Sequence, residues 1–339
     1  MSWSRSEPRA WFGGRLATGL QDVTDDLSAL DGSGWWAVVL DFEGTVRCAR
    51  FGTVREAPLP AGRWPGVPVS AWTSSMTREQ YVAAAGEIRD GIAVGDHYQV
   101  NLCRVLSSKL PGGTEPASLS GLAALLARGN PAPYAGVVQL PGHDLSVVSA
   151  SPELFLRRDG DVVESGPIKG TAATRDGLTD KDRAENVMIV DLVRNDLGVV
   201  AVTGSVDVPA LCAVEEHPGL VHLVSRVSAR LRAGAGWPEL LAATFPPGSV
   251  TGAPKSAALD AIRSLEPLPR GPYCGAVGWV DADRRRAALA VGIRTFWAAA
   301  GWLHLGTGAG ITWGSDPASE WDETELKARR LLAVAARVS

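Results

Sequence analysis

At 339 residues the chain is too long for one small core and allows one large or two ordinary domains. Hydrophobic residues make up 45% and charged residues 21%, which fits a soluble globular protein. The 33 basic and 37 acidic residues leave a net charge of -4 with no Lys/Arg-rich run, which excludes a basic field for nucleic acid.

No apolar run reaches the roughly 18 residues that a membrane-spanning helix needs, so no membrane partner is expected. The N-terminal MSWSRSEPRAWFGG lacks the apolar core of a secretion signal. Cys48, Cys103, Cys212 and Cys274 are too far apart for a zinc or C-x-x-C motif. They read as free thiols, mostly buried, in a reducing compartment, and a cytoplasmic protein is expected.

Residues 1–76 read as a short strand-rich segment belonging to the same fold as residues 77–339. Within it, WWAVVLDFEGTVRCARF predicts two strands around a turn at Glu43-Gly44, and REAPLPAGRWPGVPVSAW a connection. Thr77 and Gln80 form a capping-box signature for a helix ending near Gly95. HYQVNLCRVLSSKL then alternates as a strand, with Gln99, Asn101 and Cys103 on one face. Further strands are predicted at 134–139, 145–150, 153–158 and 161–165, and a helix at 181–197. Strands follow at 221–232, 273–280, 287–297 and 302–306, with helices at 237–244, 255–265 and 319–337. Strands come in runs, which points to an α+β fold of antiparallel-rich sheets covered by helices.

Several stretches carry polar groups where packing alone does not ask for them. KDRAENVMIVDLVRNDLG, residues 181–198, reads as a helix apolar nearly all round and therefore buried, yet it carries Glu185, Asp191, Arg194, Asn195 and Asp196. The last four read as an internal salt-bridge network, leaving Glu185 as the metal candidate. Glu320 and Glu323 share one helix face. Spacing alone favours plain first-turn acids over oxygen ligands for Mg2+. In GTGAGITWGSD, three glycines expose backbone N–H groups suited to a carboxylate or phosphate, but the following strand excludes a dinucleotide fingerprint. In FPPGSVTGAPK, Thr251 is expected near a helix N-cap, where free N–H groups suit an anion, and no Walker A spacing is present. Arg294, on an apolar strand, needs a carboxylate partner from the protein or a ligand. His222 reads as a hydrogen-bonded core histidine or a catalytic one.

Taken in order, GDHYQVNL, SASPELF, PIKGT, KDRAENVMIVDLVRNDLG, GSVTGAPK and GAGITWGSDPASEWDETELKA resemble the chorismate-binding enzymes. These comprise component I of anthranilate and aminodeoxychorismate synthases, and the isochorismate and salicylate synthases. The resemblance runs from about Thr77 to the C-terminus and implies two antiparallel-rich sheets packed together, flanked by helices, with chorismate in a cleft. It also implies Mg2+ on Glu185 and Glu323 with Glu320 close by, which reverses the reading of the acidic pair from spacing. By the same resemblance, the backbone of Gly308, Ala309 and Gly310 helps hold the ring carboxylate. Arg294 and Tyr273 hold the enolpyruvyl carboxylate, and Thr251, Ala253 and His222 are assigned to the same pocket.

Within the family, isochorismate and salicylate synthases resemble one another in having a water-activating lysine where this chain has Gln99, which has no basic nitrogen. PIKGT resembles the aminodeoxychorismate synthase branch, whereas anthranilate synthases typically read PIAGT. The resemblance thus implies Lys169 as a nucleophile toward ring carbon C2, with ammonia then entering at C4, and Glu153 as the general acid. A neutral amine requires a depressed pKa and a proton donor requires a raised one. The chain shows no glutaminase signature, so ammonia is expected from solution or from a separate glutamine amidotransferase subunit.

Overall fold

The computed structural model describes residues 7–111, 118–172, 174–217 and 220–338. Its strands, in chain order, begin with β1 (Arg9–Phe12), β2 (Arg15–Thr24), β3 (Trp35–Leu40), β4 (Val46–Glu56), β5 (Thr73–Ser74) and β6 (Gln99–Lys109). The middle of the chain forms β7 (Tyr134–Leu140), β8 (Leu145–Ser151), β9 (Leu154–Asp159), β10 (Val162–Gly166), β11 (Ile168–Ala172), β12 (Asp207–His217) and β13 (Leu220–Arg230). The last are β14 (Gly252–Ala253), β15 (Ala276–Asp281), β16 (Arg286–Val291), β17 (Thr295–Ala299) and β18 (Trp302–Thr312). The helices are α1 (Arg78–Val94), α2 (Ser118–Gly129), α3 (Asp180–Gly198), α4 (Trp237–Thr244), α5 (Lys255–Leu265) and α6 (Pro317–Ala335).

Every ladder between these strands is antiparallel, as the strand runs predict. The path β6–β18–β17–β8–β7 forms one half of the sheet, and β2–β4–β3–β15–β16–β9–β10–β13–β12 forms the other. Strand β1 pairs with β7 on one side and β2 on the other, so the halves are one continuous hydrogen-bonded network. Helices α2 and α6 close one apolar cluster over the first half, built around Trp64, Leu122, Leu126, Val148, Phe296 and Leu331. Helix α3 lays Ile189, Val190, Val193 and Leu197 into the larger cluster of the second half. Burying these two faces drives the fold, since neither sheet half nor helix could leave them in water.

The local signals explain where elements start and stop. Thr77 and Gln80 form the predicted capping box of α1, with Gln80 Oε1 accepting from the Thr77 N–H at 2.8 Å, and Gly95 ends the helix at φ 89°. The predicted strand at 287–297 is two strands. Gly292 and Arg294 break it, Arg294 at φ 52°, which turns its side chain out of the ladder. Helix α2 and strand β12 were not predicted. The latter carries Pro209 and two register shifts, which blur its alternation.

Helix α3 corrects two expectations. It is buried on one face only: Val187 is 48% exposed and Asp191, Arg194 and Asn195 face water. Asp191 and Arg194 do pair, at 2.9 Å, but on the surface. Asp196 is buried and leaves that set. Its partner is Lys255 at 2.8 Å, at the start of α5. Thr251 likewise lies before the cap position of α5, which Pro254 holds. Its hydroxyl donates to the Pro247 carbonyl at 2.9 Å.

Candidate active site

The floor of the site is the β6–β18 ladder, in which Thr312 lies opposite Gln99 and Gly310 opposite Asn101. Strand β17 covers only Trp302–Leu305 of β18, so from Gly306 onward the second edge of β18 is free of strand pairing. In an antiparallel ladder alternate backbone groups point away from the partner, which leaves groups of the Gly306–Gly310 stretch open to a ligand. One is already used: Lys327 Nζ donates to the Gly308 carbonyl at 3.0 Å. The glycines serve close approach. A methyl group on Gly308 would meet Cys103 Sγ at 2.6 Å, and one on Gly306 would enter the ring of Tyr273.

Gln99 is fully buried, yet neither its amide nitrogen nor its oxygen has a hydrogen-bond partner among the described residues. Orphaned buried amides are costly, by about 1–3 kcal/mol. The nearest account is a ligand that completes them. A methyl on Gly310 would sit 2.6 Å from Gln99 Nε2 and 3.6 Å from Lys169 Nζ, which places amide and amine around one point above β18.

Lys169 reaches that point because β11 is irregular. Its register against β13 shifts between Ile168 and Thr171, and Gly170 takes φ 83°, packed against Asp182. An extra residue of this kind re-aims a side chain out of the ladder. Among the described residues no carboxylate lies within salt-bridge distance of Lys169 Nζ. Burial pushes the amine below its usual pKa, against the opposing pull of Glu185 and Glu153. The structural alternative for this lysine, an ion pair with a buried acid, is therefore not what the geometry contains.

Glu153 sits just before β9, held by the Ser151 hydroxyl on its backbone N–H at 3.2 Å and by the Val291 N–H on its carbonyl at 3.0 Å. It is 4% exposed. Burial pushes its carboxyl up to about 7, opposed by the Ser249 hydroxyl, the Lys169 charge and the Ile168 N–H. A carboxyl in that range keeps a proton to give near neutrality.

The three predicted metal ligands come from two helices. Glu185 projects from α3, and Glu320 and Glu323 from the first turns of α6. Lys181 Nζ stands 3.8 Å from Glu185 Oε1 and 3.8 Å from Glu320 Oε1, so these two carboxylates, far apart in sequence, face one cation position. Glu323 is paired with Lys327 at 2.6 Å. Among the described residues no three His, Cys, Asp or Glu side chains converge tightly enough to hold a metal by themselves. The donor set nonetheless fits Mg2+, a hard cation that takes one or two carboxylates and keeps water in its remaining positions. Burial raises the Glu320 carboxyl pKa, opposed by the 2.5 Å bond from Ser315. At Glu323 burial acts the same way, but Lys327 outweighs it and the pKa falls.

Arg294 has no acidic partner among the described residues, and burial lowers its pKa. The protein thus supplies no carboxylate partner for it among the described residues. Tyr273 is 5% exposed, with its ring against Gly306. Ala253 pairs with Gln99 across β14 and β6, and its carbonyl accepts from Tyr98 N–H at 2.7 Å. Thr251 is fully buried and its carbonyl accepts the Asn101 N–H at 2.9 Å, so it shapes the wall. His222 is 3% exposed in β13, opposite Thr171, two residues beyond Lys169.

Sequence reasoning passed over Lys181, Lys327 and Lys255. The first two were readable, because each stands four residues from a predicted ligand on the same helix face. Lys255 was not, because its partner Asp196 is 59 residues away.

Antiparallel sheet halves under helices, with polar side chains from β6, β11, α3 and α6 gathered over β18, define an α+β protein with a composite candidate site. The sequence pattern of the chorismate binding enzymes matches residues 53–333, and the chain belongs to that family. It is 37% identical over 317 residues to the aminodeoxychorismate synthase component 1 of Salmonella typhimurium, covering 88% of this chain and 68% of that one. It is 40% identical over 275 residues to an anthranilate synthase component 1 of Haloarcula marismortui, covering 78% of this chain and 55% of that one. The chain thus spans between about half and two thirds of the length of these relatives. The solved structure of a putative 2,3-dihydroxybenzoate-specific isochorismate synthase from Bacillus anthracis superposes with a TM-score of 0.80 at 24% identity. It covers 98% of this chain and 97% of that one, and shows a shared fold. No helix among the described residues is long and apolar enough to cross a membrane.

Proposed function

We propose that the chain acts as component I of an aminodeoxychorismate synthase, converting chorismate and ammonia to 4-amino-4-deoxychorismate. The observation that carries this reading is the Lys169 amine: buried, depressed in pKa, without an acidic partner among the described residues, and directed at the point above Gly310. Lys169 attacks ring carbon C2 with its lone pair. Both ring double bonds shift, C1=C2 and C5=C6 becoming C1=C6 and C4=C5. The C4 hydroxyl leaves as water with a proton from Glu153, and the new secondary ammonium on Lys169 returns its extra proton to Glu153. Ammonia then attacks C4, both double bonds shift back and the C2–nitrogen bond breaks. Lys169 leaves with a proton that the entering ammonia gives up, passed through Glu153. The sum is chorismate plus ammonia giving the 4-amino product plus water. Two displacements, each relayed through both ring double bonds, return the substituent to C4, para to the ring carboxylate.

The remaining groups bind and orient. Arg294 pairs with the enolpyruvyl carboxylate, and the Gln99 amide meets polar groups of the substrate at the reacting carbons. Glu185, Glu323 and Glu320 would hold Mg2+, whose charge complements the ring carboxylate. Ammonia is supplied by a separate glutamine amidotransferase subunit, a reading that the component 1 names of the relatives support. The similarly related anthranilate synthase supports a second reading, addition of ammonia at C2 to give an ortho aminobenzoate.

One experiment separates them. Chorismate, ammonium and Mg2+ are incubated with wild type and Lys169→Ala, and products are identified by mass and NMR. A para-aminated product in wild type, lost in Lys169→Ala, supports the proposal. An ortho-aminobenzoate or hydroxylated product from wild type refutes it.

A further inference from the structure

The two helices that bring acids to the cleft also bring their own cation. Lys181 stands on the first turn of α3, one turn before Glu185, and its side chain is 53% exposed. Its Nζ lies 3.8 Å from Glu185 Oε1 on its own helix and 3.8 Å from Glu320 Oε1 on α6. Those distances are too long for hydrogen bonds, which close at about 2.7–3.2 Å. The ammonium therefore sits between the two carboxylates without being locked to either. The side chains it faces are themselves well buried, at 19% and 7% exposure. Glu320 is fixed independently by Ser315 at 2.5 Å. So Glu320 is held in place, Glu185 is largely buried, and the exposed lysine is the movable member.

Resting on the reading that Glu185 and Glu320 hold a divalent cation, we infer that Lys181 is a tethered placeholder for that cation. With no metal bound, its ammonium neutralises two carboxylates that would otherwise face each other unpaired and holds α3 to α6. When a divalent ion arrives, the ammonium swings out to water and leaves both oxygens to the metal. Lys181 thus tunes metal affinity downward while supporting the metal-free cleft. Lys327 plays a tighter version of the part on one acid only, bonded to Glu323 at 2.6 Å and anchored to Gly308 at 3.0 Å. It lacks the bridging position and the freedom to leave.

The test uses the full chain freed of metal with EDTA, Mg2+ as the probe, calorimetric titration, and melting curves with and without Mg2+. Lys181→Met removes the competing charge, so Mg2+ binds about fivefold more tightly, a modest factor because the ammonium is half exposed and screened. The same variant melts at a lower temperature than wild type in EDTA. Lys181→Arg restores both values toward wild type. Lys109→Met, which removes an equal charge at the far end of β6, leaves the Mg2+ Kd unchanged. Equal or weaker Mg2+ binding in Lys181→Met overturns the inference, as does the absence of Mg2+ binding in every one of these proteins. Because no chorismate enters the experiment, its outcome is independent of which product the enzyme makes.

Discussion

Adding one methyl group to Gly310 tests whether the point between Gln99 and Lys169 is where the chemistry occurs. The new carbon would stand 2.6 Å from Gln99 Nε2 and 3.6 Å from Lys169 Nζ, and those side chains supply its nearest neighbours. Ordinary contact begins near 3.5 Å, so the amide must retreat by about 1 Å while the amine need hardly move. Gly310 does not occupy the left-handed region, so alanine fits the backbone. The fold should therefore survive, with a melting temperature within about 3 °C of wild type. Catalysis should not, because a displacement of about 1 Å at a reacting centre costs on the order of 100-fold in rate. Steady-state turnover of chorismate with ammonium, beside a melting curve, checks both. Gly308→Ala is the contrast: its methyl would meet the Leu102 carbonyl at 2.7 Å, which cannot swing aside, so that variant should lose stability. Wild-type turnover in Gly310→Ala would refute the placement of the reacting ring above β18.

In the proposed role Glu153 acts while protonated, so the rate should fall as pH rises through about 7, and Glu153→Gln should lose turnover with no such limb. The sign for stability follows from the same group. A carboxyl near 7 when folded and about 4.5 when unfolded binds more protons in the native state, so wild-type stability declines between those values as pH rises. Urea titrations at pH 5 and pH 8 should show that decline, up to about 3 kcal/mol, and Glu153→Gln should flatten it. Arg294→Ala should raise the chorismate KM about 100-fold at unchanged melting temperature, since an ion pair to the ligand is lost and none to the protein; an unchanged KM would remove Arg294 from the site. Lys255→Met should cost about 3 kcal/mol in urea unfolding by stranding the buried Asp196 carboxylate, and adding Asp196→Asn should recover much of it.

The sequence made the strand-rich α+β plan, the α1 cap and most of the helices readable because these depend on local spacing. It hid features set by distant partners. Asp196 looked like a neighbour of Arg194 but belongs to Lys255, a contact made only when α5 packs beside α3. Val187 looked buried because an apolar count around a helix cannot say which side faces the sheet; α3 touches β13 and β11 on one side and leaves Val187 in water. The 287–297 stretch read as one strand because Arg294 at φ 52° has no signature in composition. At the site, the residue types were legible through the ordered motifs. Their meeting depends on β11, whose irregular register against β13 turns Lys169 toward β18.

That meeting gives the cleft an uneven charge pattern with a chemical consequence. Lys181 lies within 4 Å of Glu185 and Glu320, Lys327 binds Glu323, and Lys255 binds Asp196. Each of these amines has a carboxylate beside it. Lys169 alone of the four has no acid at that range among the described residues, although Glu185, Glu153 and Glu323 all act on it from further off. Their attraction raises its pKa and burial lowers it, and burial prevails. The carboxylates near enough to hold the Lys169 proton are thus engaged elsewhere, by Lys181, by Lys327 or, at Glu153, by their own raised pKa. In the proposed mechanism, burial, together with the pairing of the acids with other cations, leaves one amine free to be a nucleophile. A further substitution can test this: Lys327→Met removes a charge that itself lowers the Lys169 pKa and frees Glu323, so that pKa should rise, the acid limb of the turnover profile should move to higher pH, and the limb set by Glu153 should stay where it was. An acid limb that stays in place would mean that Lys169 owes its lowered pKa to burial alone.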